Sequence, residues 1–357
     1  MPQSVTILVT GVGAPGTRGT FYSLKNNEDK TRIKIIGTDI KEDVIGKYWA
    51  DSFYNVPAPE SEDYISRVNE ICSKESVDVI VPQTTRETAV FSRKTAEVSS
   101  PVTVSESSAI ERANNKFELL KVCKKLGVPI PRYYLSQSLD ELIDHVEALG
   151  YPGKPVVVKP LVSFGSRGFR VLREDTSWNT KRFLSEKPNA SEITLDDLAR
   201  ILSKHDNEHQ GFPQLLVTEF LPGKEYTIDA FRGRDASVAI PRLRKEIVNG
   251  ISFRTSLEFR KDLMEYSLRA ATELDLRYAF GFQFKLDHKD VPKVLECNPR
   301  VQGTMVASYF SGANVIWMSV REALGLPVHP PNTPFHPSEF YRFWGGFSVS
   351  DSGLAEI

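Results

Sequence analysis

Short apolar runs and helix-spaced stretches alternate along the first hundred residues. Residues 4–10 (SVTILVT), 33–39 (IKIIGTD), 77–81 (VDVIV) and 101–104 (PVTV) read as strands, with helical patterns between them, notably at 62–74. Strands alternating with helices predict a parallel sheet and a doubly wound α/β domain, ending near residue 108. Residues 109–126 then carry apolar positions at helical spacing, and Gly127 stops the helix. An extended linker, VPIPRYY, leads to strands at 155–159 and 169–172 around the loop SFGSRG. Residues 176–213 read as an insertion with an amphipathic helix at 195–204. Further strands follow at 214–221, 225–231 and 238–243, with helices at 261–275 and 312–324 and a proline-rich stretch at 326–341 that wraps the surface.

Residues 280–303 (FGFQFKLDHKDVPKVLECNPRVQG) hold the most informative pattern. Phe280, Phe282, Phe284 and Leu286 alternate with Gly281, Gln283, Lys285 and Asp287, and a second run returns after a polar turn. Period-two alternation sends successive side chains to opposite faces. A hairpin closed over 288–291 sets Phe282 opposite Cys297, Phe284 opposite Leu295 and Gln283 opposite Glu296. Its polar face gathers Gln283, Glu296 and Asn298, oxygen donors within reach of one hard cation, with Arg300 beside them. An ordinary hairpin with a solvated face has the same pattern.

The chain has 357 residues, 40% apolar, a formal net charge of -1, and no basic stripe interleaved with aromatics, so nucleic acid is not an expected partner. No apolar run approaches the roughly 18–20 residues of a membrane span. The start, MPQSVTILVTG, lacks the basic head and cleavage site of a signal peptide. Three scattered cysteines without metal-ligand spacing fit a reduced, cytoplasmic protein.

Two glycine loops are phosphate-binding candidates. Gly11, Gly13 and Gly16 follow the first strand, with Asp39 ending the second; that is the dinucleotide pattern, and a nicotinamide-dependent oxidoreductase is its rival reading. A tight strand-to-helix turn explains it equally. The second loop, Ser163-Phe164-Gly165-Ser166-Arg167-Gly168, lies between two strands and is not a Walker loop. Its glycines admit close approach of phosphate oxygens, and Lys159 ends the preceding apolar strand, where an ammonium needs an anionic partner. Glu219-Phe220-Leu221 closes a further strand before Pro-Gly-Lys-Glu225.

The ordered set of Lys116 on a helix, V-V-V-K-P, the glycine loop, E-F-L-P-G-K-E-Y, G-F-Q-F and E-C-N-P-R resembles the ATP-grasp superfamily, and within it the carbamoyl-phosphate synthase large-subunit branch. The resemblance spans roughly residues 109–325. It implies a Rossmann-like pre-ATP-grasp domain at 1–108, a two-lobed α+β ATP-grasp at 109–325 with a lid lobe at about 128–218, and a proline-rich tail at 326–357. It further implies ATP with Mg²⁺ or Mn²⁺, clasped between the lobes. Lys116 and Lys159 neutralise phosphates, Ser163, Gly165, Ser166 and Gly168 cover them, and Glu219, Phe220 and Leu221 line the adenine. Glu225 holds ribose, Gln283, Glu296 and Asn298 ligate the metal, and Arg300 faces the reacting carboxylate. Gln283 departs from the acidic residue frequent in such ligases, and one carboxylate suffices for Mg²⁺ only when phosphate and water complete its shell.

The implied chemistry is a carboxylate–amine ligase acting through an acyl phosphate, with Arg300 and Lys159 catalytic and a possible homodimer as the assembly. Arg242, Arg244 and Arg254 are candidates for the carboxylate substrate, since a guanidinium fork suits bidentate recognition. Thr84, Thr85 and Arg86 sit at the carboxyl edge of the parallel sheet, where α/β ligand sites lie. A small-molecule kinase and a nucleotide-binding regulatory protein are the alternatives.

Overall fold

The computed structural model describes residues 3–163, 167–174, 191–206, 211–248, 250–329, 335–343, 345–350 and 353–356. The chain divides into two compact units. One comprises Met1–Ala113, Lys224–Phe284 and Glu296–Ile357; the other comprises Asn114–Gly223 and Lys285–Leu295.

The first unit begins with β1 (Ser4–Thr10), α1 (Thr17–Lys25), β2 (Arg32–Asp39), β3 (Ser52–Asn55), α2 (Tyr64–Glu75), β4 (Val79–Val81) and α3 (Thr85–Arg93). The sheet order is β3-β2-β1-β4, parallel throughout. The run at 101–104 forms only a bridge, Ile80 to Val102, and β3 is a strand its short, half-buried pattern did not disclose. Ile7 and Val9 pack into one core with Phe21, Leu24 and Trp317, while Leu8, Ile36 and Ile80 pack into another with Tyr64, Val68 and Phe91. Burial on both faces explains why β1 is continuously apolar instead of alternating.

The predicted helix at 109–126 is two helices, α4 (Ser107–Asn114) and α5 (Lys116–Lys125). Asn115 breaks them: its backbone is extended (φ -82, ψ 108) and its side chain accepts from the amides of Phe117 and Glu118. Gly127, at φ +67, ends α5 in the left-handed region, as its position predicted.

The second unit continues with β5 (Tyr133–Ser136), α6 (Leu139–Ala148), β6 (Val156–Pro160), β7 (Arg170–Leu172), β8 (Glu192–Ile193), α7 (Leu195–His205) and β9 (Leu215–Glu219). Its sheet order is β5-β9-β6-β7-β8. The stretch read as an extended linker thus supplies an edge strand, β5, pairing antiparallel with β9 from Tyr133↔Thr218 to Ser136↔Leu215. Leu142 and Val146 of α6 and Leu198 and Leu202 of α7 bury against Val156, Val158 and Val217.

The remaining elements are β10 (Glu225–Arg232), β11 (Ser237–Val248), β12 (Ile251–Leu257), α8 (Lys261–Leu274), β13 (Tyr278–Leu286), β14 (Pro292–Asn298), α9 (Val306–Phe310), α10 (Val315–Ala323), β15 (Ser338–Tyr341), β16 (Phe347–Ser350) and β17 (Gly353–Glu356). The order β14-β13-β10-β11-β12-β15 makes a six-stranded sheet, and β16 and β17 pair separately. The expected hairpin is present as β13 and β14. Its burial differs from expectation in one respect: Val294 is fully buried and Leu295 is not, and the Val294 amide donates to Pro129 O at 3.1 Å, outside the hairpin. The proline-rich stretch does more than wrap the surface. Its end, β15, adds to the sheet edge in the register Arg254↔Tyr341 to Leu257↔Ser338. The helix α10 returns to the N-terminal sheet, burying Val315, Ile316, Trp317 and Val320 in the core that holds β1.

Candidate functional site

The glycine turn after β1 is filled by the protein itself. Gly13 N–H donates to the Asp39 carboxylate at 2.8 Å. A Cβ at Gly16 would lie 2.6 Å from Gly303 Cα, and one at Gly19 would lie 2.8 Å from Val306 Cγ1. These glycines therefore admit the chain that follows Arg300, and the dinucleotide pattern has a packing explanation in its place.

In the second unit, two lysines are buried. Lys116, at the first position of α5, is 4% exposed, and its Nζ donates to Ser163 O at 3.2 Å and to Ser163 Oγ at 3.3 Å. Lys159 is 7% exposed on β6, with Nζ 3.5 Å from the carbonyl oxygen of Leu295, the residue before Glu296. A buried ammonium is costly to desolvate and is suited to an anion. Gly168 takes φ +74 and packs on the Pro160 ring, where a Cβ would be 2.6 Å from Cγ. Gly165 and Ser166 lie outside the described residues. The Glu219 carboxylate accepts from the Arg132 amide at 2.9 Å and from Arg132 Nε at 3.2 Å. Leu221 is buried, and the Phe220 ring meets the guanidinium of Arg173 at 5.4 Å and the ammonium of Lys285 at 5.9 Å.

In the first unit, β14 carries Glu296 and Asn298 on adjacent same-side positions, and Asn298 Nδ2 donates to Glu296 Oε1 at 3.2 Å. Gln283 stands half-buried on β13, the neighbouring strand. Among the described residues no cluster of three His, Cys, Asp or Glu side chains offers an alternative metal centre. Arg300 is partly buried. Its Nε donates to Thr85 Oγ1 at 2.9 Å, Nη1 to Val301 O at 3.0 Å and Nη2 to Asn298 Oδ1 at 3.4 Å. Burial pulls its pKa below the usual guanidinium range, opposed by the charge of Glu296.

The three arginines expected to meet a carboxylate fare differently. Arg242 is 1% exposed and forms a bidentate pair with Asp229 (Nε–Oδ2 2.6 Å, Nη2–Oδ1 2.9 Å). Its Nη1 has no hydrogen-bond partner among the described residues. Arg244 is committed to Glu225, to Ser252 Oγ at 2.9 Å and to Gly250 O at 2.6 Å. Glu225, expected at the ribose, faces it because one step beyond the Tyr226↔Leu243 pair sets the two opposite across β10 and β11. Arg254 is largely exposed, 3.2 Å from Glu339 and over the Tyr341 ring. Strand pairing with acidic neighbours, which the isolated P-R-L-R-K-E pattern does not reveal, decides all three.

Two site residues escaped the sequence. Gln302 follows Arg300 by two positions, and its Nε2 is buried without a partner among the described residues, against Gly281, where a Cβ would be 2.1 Å away. Arg342 extends β15: its amide donates to Phe253 O at 2.7 Å and its Nη2 to Gly303 O at 2.7 Å, while buried Nε is unpartnered among the described residues. Burial and the nearby charge of Arg242 lower its pKa. The position of Gln302, two after Arg300, could have pointed to it; nothing local marks Arg342. A buried donor without an acceptor costs about 1–3 kcal/mol, so three of them, Arg242 Nη1, Gln302 Nε2 and Arg342 Nε, favour an anion.

Comparison with known proteins bears on the whole arrangement. A family model described as "PylC-like, N-terminal domain" matches residues 7–104, and one described as "ATP-grasp in the biosynthetic pathway with Ter operon" matches residues 211–341. The chain carries an ATP-grasp domain preceded by a PylC-like N-terminal domain. The carbamoyl phosphate synthase large chain of Pyrococcus furiosus is 27% identical over 226 residues, 60% of this chain and 19% of that protein. The chain thus spans about a fifth of the length of this relative. The fold matches N5-carboxyaminoimidazole synthetase from Staphylococcus aureus, complexed with ADP, at TM-score 0.70 and 15% identity, covering 96% of this chain and 85% of that one. It also matches the biotin carboxylase domain of Hydrogenobacter thermophilus 2-oxoglutarate carboxylase, in complex with MgADP and bicarbonate, at TM-score 0.71 and 17% identity, covering 97% and 75%. No helix among the described residues is long and apolar enough to cross a membrane.

Proposed function

We propose that the chain is an ATP-dependent ligase joining a small carboxylate to an amine-type nucleophile. The observation that carries this is the set of buried donors lacking acceptors among the described residues, Arg242 Nη1, Gln302 Nε2 and Arg342 Nε, in the unit that also holds Arg300. Arg242 is paired with Asp229 and still keeps an unused donor, and with Arg342 it offers guanidinium groups suited to a carboxylate.

The carboxylate oxygen attacks the γ-phosphorus of ATP, the bond to the β-bridging oxygen breaks, and ADP leaves. The amine then adds to the acyl carbon, and phosphate departs as the carbonyl reforms. Such transfer depends on charge neutralisation and alignment more than on covalent help. Lys116 and Lys159 are assigned to the phosphates, with Phe220 and Leu221 assigned to the adenine. Glu296, with the amide oxygens of Gln283 and Asn298, would hold Mg²⁺, which would neutralise phosphate charge; these are hard donors, one of them anionic. Arg300 stabilises the developing anion at the acyl carbon.

The test is ADP release from Mg-ATP, screened over bicarbonate, amino acids and small carboxylates, with and without amines. Amine-dependent turnover is expected, and Arg300→Ala should lower it on the order of 10²–10³-fold. Arg342→Ala should raise the carboxylate KM about tenfold or more with little change for ATP. A phosphorylated product formed without any amine requirement would identify a kinase instead, and full turnover by Arg300→Ala would remove that residue's role.

A further inference from the structure

We infer that Thr85 is a positioning residue that sets the guanidinium of Arg300 for the reacting carboxylate. The inference rests on the ligase reading for what Arg300 does, but its structural half stands on distances alone. Arg300 Nε donates to Thr85 Oγ1 at 2.9 Å, and the other two nitrogens face Val301 O and Asn298 Oδ1. All three acceptors are uncharged, so these bonds orient the guanidinium without neutralising it, with the charge of Glu296 nearby and the guanidinium still able to meet an incoming anion. An arginine side chain has four rotatable bonds; tying Nε as well as the terminal nitrogens removes rotation of the whole planar fork.

Thr85 can do this because it cannot move. It is 8% exposed and opens α3, next to the N-cap Thr84. Thr84 and Glu87 form a reciprocal capping box, with Thr84 Oγ1 2.7 Å from Glu87 Oε2. Gly11, at φ +62, presses on the same corner: a Cβ there would be 2.5 Å from Thr84 Cγ2 and 2.9 Å from Glu87 Oε2. The turn after β1 therefore braces the start of α3, and α3 presents one hydroxyl to Arg300. This gives Gly11 a use in place of the dinucleotide role, and joins the N-terminal sheet to the chemistry through the Thr85–Arg300 hydrogen bond.

The test is a proton–nitrogen correlation spectrum of the arginine Nε–H region, in which the resonance missing from Arg300→Lys identifies Arg300. In the wild type that resonance should be displaced from the exposed arginines and exchange slowly with water. Thr85→Val, which keeps the side-chain shape, should return it towards the exposed position and speed exchange about tenfold or more, the scale of one hydrogen bond; Thr85→Ser should restore it. Unchanged backbone amide resonances in Thr85→Val establish that it folds, and Thr85→Ala serves if it does not. Sodium acetate is the anion probe: it should shift the Arg300 resonance in the wild type, with about tenfold more acetate needed in Thr85→Val. An Arg300 resonance unaffected by Thr85→Val or Thr85→Ala overturns the positioning role. A wild-type resonance that acetate does not move overturns the assignment of Arg300 to a carboxylate, and hence that part of the ligase reading, while exchange still reports on Thr85 separately.

Discussion

Glu87 is a buried carboxyl that caps α3 and accepts from the Tyr64 hydroxyl at 3.5 Å, and replacing it by glutamine should make the protein more stable at neutral pH. Its Oε2 accepts from Thr84 Oγ1 at 2.7 Å and the Thr84 amide at 3.2 Å. Burial pushes its pKa from 4.5 to about 7, with the Thr84 and Thr10 hydrogen bonds opposing and the charge of Asp39 adding to the rise. Because the folded state holds this proton to higher pH than the unfolded state, the group favours folding most below about 4.5 and loses that contribution as pH climbs to about 7. At about 1.4 kcal/mol per tenfold change in proton affinity, the loss amounts to about 3 kcal/mol above neutrality. Glutamine cannot ionise, yet its carbonyl oxygen still serves a capping box. The assay is denaturant unfolding of both proteins at intervals from pH 4.5 to 8, followed by tryptophan fluorescence, taking the difference so that other titrating groups cancel. The variant should gain on the wild type steadily across that window, by up to about 3 kcal/mol less the weakened hydrogen bonds. Parallel profiles would refute the argument, because they would mean that Glu87 titrates alike in both states.

Two further outcomes follow from the geometry. Glu296→Ala should abolish magnesium-dependent ATP binding while leaving circular dichroism unchanged, since the side chain is only half-buried; calorimetric titration with Mg-ATP showing wild-type affinity would exclude the metal role. Gly16→Ala should destabilise the first unit by about 1–3 kcal/mol, the usual scale of overpacking, because its backbone (φ -87) accepts any residue but its Cβ would meet the Gly303 backbone at 2.6 Å. An unchanged thermal midpoint would show that the two backbones separate readily.

The sequence was most legible where one element carries its own signal. Continuous apolar runs bounded by turns marked β1, β2, β6 and β9, and alternation marked the β13–β14 hairpin, because burial on two faces or one leaves a direct imprint on residue type. It was least legible at edges. β3, β5 and β15 are short or half-buried, and their pairing supplies what their composition does not. The order of motifs from Lys116 to Arg300 was readable because each sits at a strand or helix end whose chemistry is local.

Sequence alone determined that a parallel α/β unit comes first and that Glu296, Asn298 and Arg300 lie together on one strand end, since covalent order and period-two geometry suffice for both; the ATP-grasp domain was legible through the resemblance of its ordered motifs to that superfamily. Tertiary structure decided which arginines remain available. Arg244 is taken by Glu225 of the neighbouring strand and Arg254 by Glu339, 85 positions away, whereas Arg242 and Arg342 each keep a buried donor without an acceptor among the described residues. It also decided that the first glycine turn receives Gly303 and Val306. Charge neutralisation and close packing depend on distance in space, and residues dozens or hundreds of positions apart carry no mark of it along the chain.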